Sequence, residues 1–121
     1  WLSSSTGVSG CVYSLIFSHS EIRVEFSAQR PDQADNKLIY DELYAQRHQI
    51  EETFGHPLTW KRLDDKKSSR IQYDKPADSY NQDNWPDLIE WLAQHVVLLE
   101  NALRGPLQRA NQSLKAGEGV F

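Results

Sequence analysis

Residues 21–28 alternate strictly between apolar and polar side chains. The apolar positions are Ile22, Val24, Phe26 and Ala28. This period of two is typical of a half-buried strand, because successive side chains point to opposite faces of a sheet. The apolar run 11–17 precedes this segment, and the turn-forming residues 18–20 separate the two. The pattern therefore predicts a β-hairpin.

After Asn36 the apolar residues recur at helical spacing. They are Ile39, Leu43, Ile50 and Phe54. Asp35 or Asn36 can cap the start of this helix with its side-chain oxygen. Gly55 can adopt the left-handed conformation at the end, and Pro57 prevents continuation. We therefore expect one helix over residues 36–54.

A second hairpin is predicted after this helix. In residues 58–63 and again in residues 69–74, alternate side chains would lie on opposite faces of a strand. The polar run 64–68 between them is suited to a turn. Trp60 and Tyr73 are in phase with the apolar positions of their strands. Packing in the core is therefore favoured for both over stacking on nucleobases.

The last predicted element is a long amphipathic helix. Asp83 or Asn84 can cap it, and Pro86 fits the first turn, where a backbone N–H would have no helical partner. Its apolar stripe consists of Leu88, Leu92, Val96, Leu99 and Leu103. Residues 105–106 (Gly-Pro) are expected to kink or end the helix. Residues 107–114 then predict a further helical segment.

The elements follow the order β-β-α-β-β-α, which indicates the α+β class. The economical arrangement is a four-stranded, mostly antiparallel sheet with two helices packed on one face. A chain of 121 residues, 39% hydrophobic and 25% charged, predicts a single domain over residues 1–121. Residues 1–10 are interpreted as a flexible leading segment and residues 115–121 as a frayed tail. Because the chain starts at Trp1 and lacks Met, we expect it to be excised from a longer protein.

Cysteine use and hydropathy predict a cytoplasmic protein with no membrane association. The single cysteine, Cys11, lies in an apolar run and is interpreted as a core residue. No segment approaches the roughly 18 consecutive apolar residues that a transmembrane helix needs. No signal peptide is recognisable.

The residues that usually carry catalysis do not form a recognisable motif. The four histidines are not at metal-ligand spacing, so we expect no metal site, and no glycine-rich loop indicates a cofactor. Residues 31–32 (Pro-Asp) and 64–66 (Asp-Asp-Lys) resemble a nuclease signature. They fall in predicted loops rather than on core strands, so we interpret this match as coincidence. The domain is expected not to be an enzyme.

The charge of the chain is distributed unevenly. The net charge is −4, yet residues 56–75 hold six cations and three carboxylates. The candidate binding residues are Arg62, Lys66, Lys67 and Arg70, together with Arg23 and Glu25. Two interpretations remain open: cross-strand ion pairs that keep the sheet soluble, or a surface that recognises phosphates or an acidic partner. A weaker third hypothesis is an enzymatic cleft lined by Glu25, Arg62 and Arg70.

An ordered set of short motifs resembles the bacterial domain of unknown function 4268. The motifs are Arg23-Val24-Glu25, Asn36-Lys37, Ile50-Glu51, Phe54-Gly55, Leu58-x-Trp60-x-Arg62-Leu63, Ser69-Arg70-Ile71, Trp85 and Glu90-Trp91. The resemblance extends from about Trp1 to Leu114. It implies a prokaryotic C-terminal domain that often follows a restriction-endonuclease-like nuclease module. It implies no catalytic residues, because the family has no assigned activity.

The functional expectation is therefore a non-catalytic accessory domain. It would aid nucleic-acid binding or the assembly of an attached nuclease-like module, so the expected partners are nucleic acid or that module. The alternative is a protein-interaction or dimerisation module that uses the long C-terminal helix, with a second copy of the chain as partner.

Overall fold

A single antiparallel sheet forms one layer of the domain. The computed structural model describes residues 2–118, with side chains from 6 to 116. The strands are β1 (Leu2–Ser5), β2 (Cys11–Phe17), β3 (Glu21–Ala28), β4 (Thr59–Lys61) and β5 (Ser69–Pro76). Their order across the sheet is β1-β2-β3-β5-β4, so β3 is central and β4 lies at an edge.

Three helices form the second layer. They are α1 (Gln33–Ala45), α2 (Arg47–Phe54) and α3 (Trp85–Glu118). A single 3₁₀ turn, Gln82–Asn84, leads directly into α3. Among the described residues, no helix is both long and apolar enough to cross a lipid bilayer.

The strand register divides the sheet into two faces. Tyr13 is paired with Phe26, Phe26 with Ile71, and Ile71 with Trp60, so these four side chains share one face. Trp60 contacts the ring of Tyr40 in α1, with ring centroids 6.1 Å apart, so this is the helix face. The opposite side of the sheet, which we call the open face, carries the alternate strand residues.

The hydrophobic core lies between the helix face and the helices. All four apolar positions of β3 are buried, as the alternation predicts. Cys11 is 2% exposed and belongs to the same core, which confirms its interpretation as a core residue. The α+β class, the first hairpin and the packing of the helices on one face are thus confirmed.

The prediction of four strands and two helices is wrong in its count. Residues 2–5, within the predicted leading segment, form β1 and pair with β2. The predicted helix 36–54 is two helices, with a break at Gln46. The N–H of Gln46 bonds to the carbonyl of Leu43, 2.9 Å away, which tightens the chain and turns it. Arg109 of α3 donates to the Gln46 side chain and holds the break in place.

The helix ends differ in part from the expected caps. The N-cap of α1 is Asp32, whose carboxylate accepts a bond from the N–H of Ala34 at 2.8 Å. The predicted cap Asn36 is instead fully buried and accepts a bond from the N–H of Arg30. Gly55 ends α2 with φ +99°, the left-handed conformation predicted for it.

Residues 105–106 are predicted from the sequence to kink or end the last helix. Helix α3 continues through Pro106 to Glu118, so they do not end it. Proline removes one backbone hydrogen bond from a helix. The apolar stripe continues beyond it, however, with Leu107, Ala110 and Leu114 all buried. Packing of these side chains offsets the missing bond. Of the predicted frayed tail, residues 115–118 belong to α3, and residues 119–121 lie outside the described residues.

Candidate functional site

The six candidate residues occupy two neighbouring places in the fold. Arg23, Glu25 and Arg70 lie on the open face of the sheet. Arg62, Lys66 and Lys67 belong to residues 62–68, which connect β4 to β5 and which we call the basic turn.

Glu25 is a buried carboxylate between two guanidinium groups. Its Oε2 atom lies 3.2 Å from Nε of Arg23 and 3.6 Å from Nε of Arg70, and its side chain is 8% exposed. A buried carboxylate requires such compensation, because removing a charge from water is costly. Arg23 also contacts Oε1 of Glu21 at 3.1 Å. The charge of Arg23 is therefore neutralised locally, and Glu25 partly compensates Arg70.

Lys61 belongs to the same surface and was not among the residues predicted from sequence. It is directly opposite Arg70 in the register of β4 and β5, so both side chains lie on the open face. Like charges in directly opposed positions are destabilising. The charge of Lys61 is visible in the sequence. Its place opposite Arg70 depends on the register of the second hairpin, which the sequence alone does not give.

Arg62 is bound by two carboxylates and is not available to a ligand in this geometry. Its Nε and Nη2 atoms donate to the two oxygens of Asp41, at 2.9 and 3.0 Å. Its Nη1 donates to Asp64. The hydrogen bond from Arg62 holds the pKa of Asp41 below its ordinary value. Arg62 therefore fastens the end of β4 to α1, and the predicted cleft with Glu25 and Arg70 does not form around it.

Lys37 of α1 is buried beneath the basic turn. Its Nζ atom lies 2.5 Å from the carbonyl oxygen of Arg62 and 2.8 Å from those of Leu63 and Ser68. The Ser69 hydroxyl is a fourth neighbour, at 3.0 Å. Burial lowers the pKa of this ammonium from its ordinary value. The ammonium is thus surrounded by backbone oxygens of the turn.

Two further side chains of α1 bind the same turn. Nε2 of Gln33 donates to the carbonyls of Asp64 and Lys66, at 3.2 and 3.0 Å. Nδ2 of Asn36 donates to the carbonyl of Lys67 at 2.8 Å. The backbone of the turn is therefore held from below by the first turns of α1.

The side chains of Lys66 and Lys67 are exposed above this support. In the described part of the chain, no carboxylate oxygen lies within 4.0 Å of the ammonium of Lys61, Lys66 or Lys67. We call Lys61, Lys66, Lys67 and Arg70 the basic hairpin end. It consists of Lys61 at the end of β4, Arg70 near the start of β5, and the two lysines of the turn that connects these strands.

Trp60 and Tyr73 lie on the helix face, as predicted, and not beside these cations. The ring of Trp60 lies 5.5 Å from that of Tyr44. The ring of Tyr73 lies 5.1 Å from that of Phe54 and stacks on Trp91 at 5.6 Å. Both residues pack against the core.

Two acids of the apparent nuclease signature, Asp32 and Asp64, have structural partners. Asp32 caps α1, and Asp64 binds Arg62.

The rings of His56 and His95 stack on Tyr73, at 5.2 and 5.5 Å. Within residues 2–118, no group of three or more His, Cys, Asp or Glu side chains is arranged to hold a metal ion.

Comparison with known families assigns the chain over most of its length. Residues 1–107 match the family described as a domain of unknown function, DUF4268. The chain belongs to the DUF4268 family. The match covers the whole sheet, α1, α2 and the first two-thirds of α3, so the resemblance inferred from the motifs is confirmed. Neither a curated protein nor a solved structure matches this DUF4268 domain.

Proposed function

We propose that this DUF4268 domain is a non-catalytic accessory module whose basic hairpin end binds the phosphate backbone of nucleic acid. The observation that carries the proposal is the position of Lys61, Lys66 and Lys67, whose ammonium groups have no carboxylate within 4.0 Å in the described residues. Phosphate oxygens would supply the missing negative charge.

The charge of the whole domain limits how nucleic acid can approach. Because the net charge is −4, the domain as a whole repels a polyanion. At physiological salt, charges further apart than about 8 Å are largely screened. A local group of cations can therefore attract phosphate even on an acidic domain. Binding would be weak, dependent on salt and confined to one end of the molecule.

Such a module would add affinity to a catalytic partner rather than act alone. The resemblance to DUF4268 implies a position after a nuclease-like module. A contact of a few phosphates increases the local concentration of nucleic acid at a linked active site. We propose this assisting role for the domain.

The test is a titration of labelled duplex DNA with the domain at low salt, followed by fluorescence anisotropy. Charge reversal at the turn, Lys66→Glu with Lys67→Glu, should weaken binding by about 10-fold or more, because each lysine neutralises phosphate charge. Lys115→Glu is the matched control, since Lys115 is an exposed lysine on α3, outside the basic hairpin end.

The salt dependence provides a second measurement. The slope of log K against log salt should become shallower by about one for each phosphate that the variant no longer neutralises. The proposal fails if the double reversal binds like the wild type, or if Lys115→Glu weakens binding equally.

A second candidate function is self-association through α3, which the exposure of its apolar residues favours. Ile89 is 57% exposed and Val97 is 53% exposed. Glu90 and Arg104 are both exposed and lie seven residues on either side of Val97. In an antiparallel pair of α3 helices centred on Val97, Glu90 of each copy faces Arg104 of the other. The charges of this face are thus complementary to themselves.

A further inference from the structure

We propose that Gln33, Asn36 and Lys37 of α1 are positioning residues that hold the basic turn in the conformation in which it binds phosphate. This inference rests on the proposed function. None of the three would touch the nucleic acid. All three would act by holding Lys66 and Lys67, and Lys37 would add the attraction of its own charge.

The three side chains share one side of α1. Positions 33, 36 and 37 are separated by three and four residues, which places them together on a helix. Between them they bind six carbonyls of the seven-residue turn. These are the carbonyls of Arg62, Leu63, Asp64, Lys66, Lys67 and Ser68.

This arrangement fixes the direction of the turn backbone. With its carbonyls directed at α1, the chain presents Lys66 and Lys67 on its outer side, where both are exposed. Leu63 adopts φ +58°, a left-handed conformation that is unfavourable for a leucine. The carbonyl of Leu63 accepts a hydrogen bond from Lys37. One of the bonds that hold the turn is therefore made at the strained residue itself.

A turn held in this way has lost conformational entropy before the ligand arrives. A flexible turn would have to be ordered on binding, which reduces affinity. The cationic charge of Lys37 also lies directly behind the turn and adds to the attraction for phosphate. Positioning and charge therefore act together at this place.

Gln33 separates positioning from charge, because it is uncharged and exposed. Among the described residues its side chain bonds only to the turn. Gln33→Ala removes two hydrogen bonds without changing a charge or opening the core. We expect duplex DNA to bind about 3- to 10-fold more weakly, as for the loss of one or two net hydrogen bonds. Gln49→Ala, at an exposed position of α2, is the matched control.

A double-mutant cycle tests whether Gln33 acts through the lysines. Gln33→Ala is measured in the wild type and in a background that carries Lys66→Gln and Lys67→Gln. If Gln33 positions these lysines, its effect on affinity largely disappears in that background. Hydrogen exchange of the amides of residues 63–68 should also be faster in Gln33→Ala, while exchange in β3 is unchanged.

Two outcomes would overturn the inference and leave the proposed function standing: Gln33→Ala binding like the wild type, or the same loss of affinity in both backgrounds. A wild-type domain that binds no duplex DNA at low salt would instead refute the proposed function, and the inference with it.

Discussion

At the scale of single residues, Lys37 shows how a buried charge can be accommodated without a carboxylate. Three carbonyl oxygens and one hydroxyl surround its ammonium. Each bond to a charged group contributes more than a neutral one, which offsets the loss of hydration. Glu25 represents the other solution, since two guanidinium groups flank it. Both residues connect segments far apart in the sequence, so their main effect is to order the end of the sheet.

The thiol of Cys11 is predicted to be unreactive in the folded domain. Burial raises its pKa to about 11, and the thiolate is the form that attacks disulfide reagents. At about pH 8 its thiolate fraction is about 100-fold below that of a thiol with a pKa of 9.0. Reaction with a chromogenic disulfide should therefore be slow in native buffer and fast in denaturing urea. Rapid reaction of the native protein at that pH would contradict this account.

At the scale of elements, backbone conformation decides where helices and turns end. Gly55 ends α2 in the left-handed region, and nothing lies within 4 Å of the place where a Cβ would be. Gly10, before β2, also has positive φ, +76°, but a Cβ there would lie 2.5 Å from Cγ of Arg30 and 3.0 Å from its Cα. Both glycines therefore hold a conformation that is strained for a residue with a Cβ, but only Gly10 also lacks the space for one.

This difference predicts unequal costs for two matched substitutions. Gly55→Ala should lower the free energy of unfolding by about 1–2 kcal/mol, the cost of a left-handed conformation for a residue with a Cβ. Gly10→Ala should cost at least about 1 kcal/mol more, because the Arg30 segment must also shift. Urea denaturation of both variants measures the two values. Equal midpoints would show that the Arg30 contact imposes no constraint.

At the scale of the whole molecule, an acidic domain presents one basic end. The net charge is −4, whereas the three uncompensated lysines gather where β4, β5 and their turn meet. The helices cover only one face of the sheet, which leaves the other face of β3 and β5 beside these lysines. The long α3 lies on the far side of the sheet. The two candidate functions therefore use separate surfaces and do not compete for residues.

Self-association through α3 predicts a concentration-dependent dimer in sedimentation equilibrium. Val97→Glu would bring two like charges together at the centre of the helix pair and should dissociate it. Gln49→Glu adds the same charge at an exposed position of α2 and should leave association unchanged. A wild type that stays monomeric at the highest soluble concentration would exclude this candidate, as would a dimer that persists in Val97→Glu.

The sequence by itself determined those features that depend only on neighbouring residues, such as the faces of a strand and the end of a helix. Alternation placed β3 at residues 21–28 and assigned its buried side, and the conformational freedom of Gly55 marked the end of α2. The same periodicity placed Trp60 and Tyr73 on the helix face, where both pack against the core. In each case the physical reason is that a side chain's orientation along a strand or helix repeats with a fixed period.

Only the tertiary structure decided the features that depend on distant contacts. The break at Gln46 is held by Arg109, 63 residues away, and Pro106 is tolerated because the stripe beyond it is buried. For Arg62 the sequence left both ion pairing and ligand binding open, and only the fold places Asp41 of α1 beside it. Lys61 belongs to the candidate site because the strand register places it directly opposite Arg70. Hydrogen bonds and ion pairs between separated segments leave no periodic trace in the sequence, so the pairing state of each charge was settled by the fold.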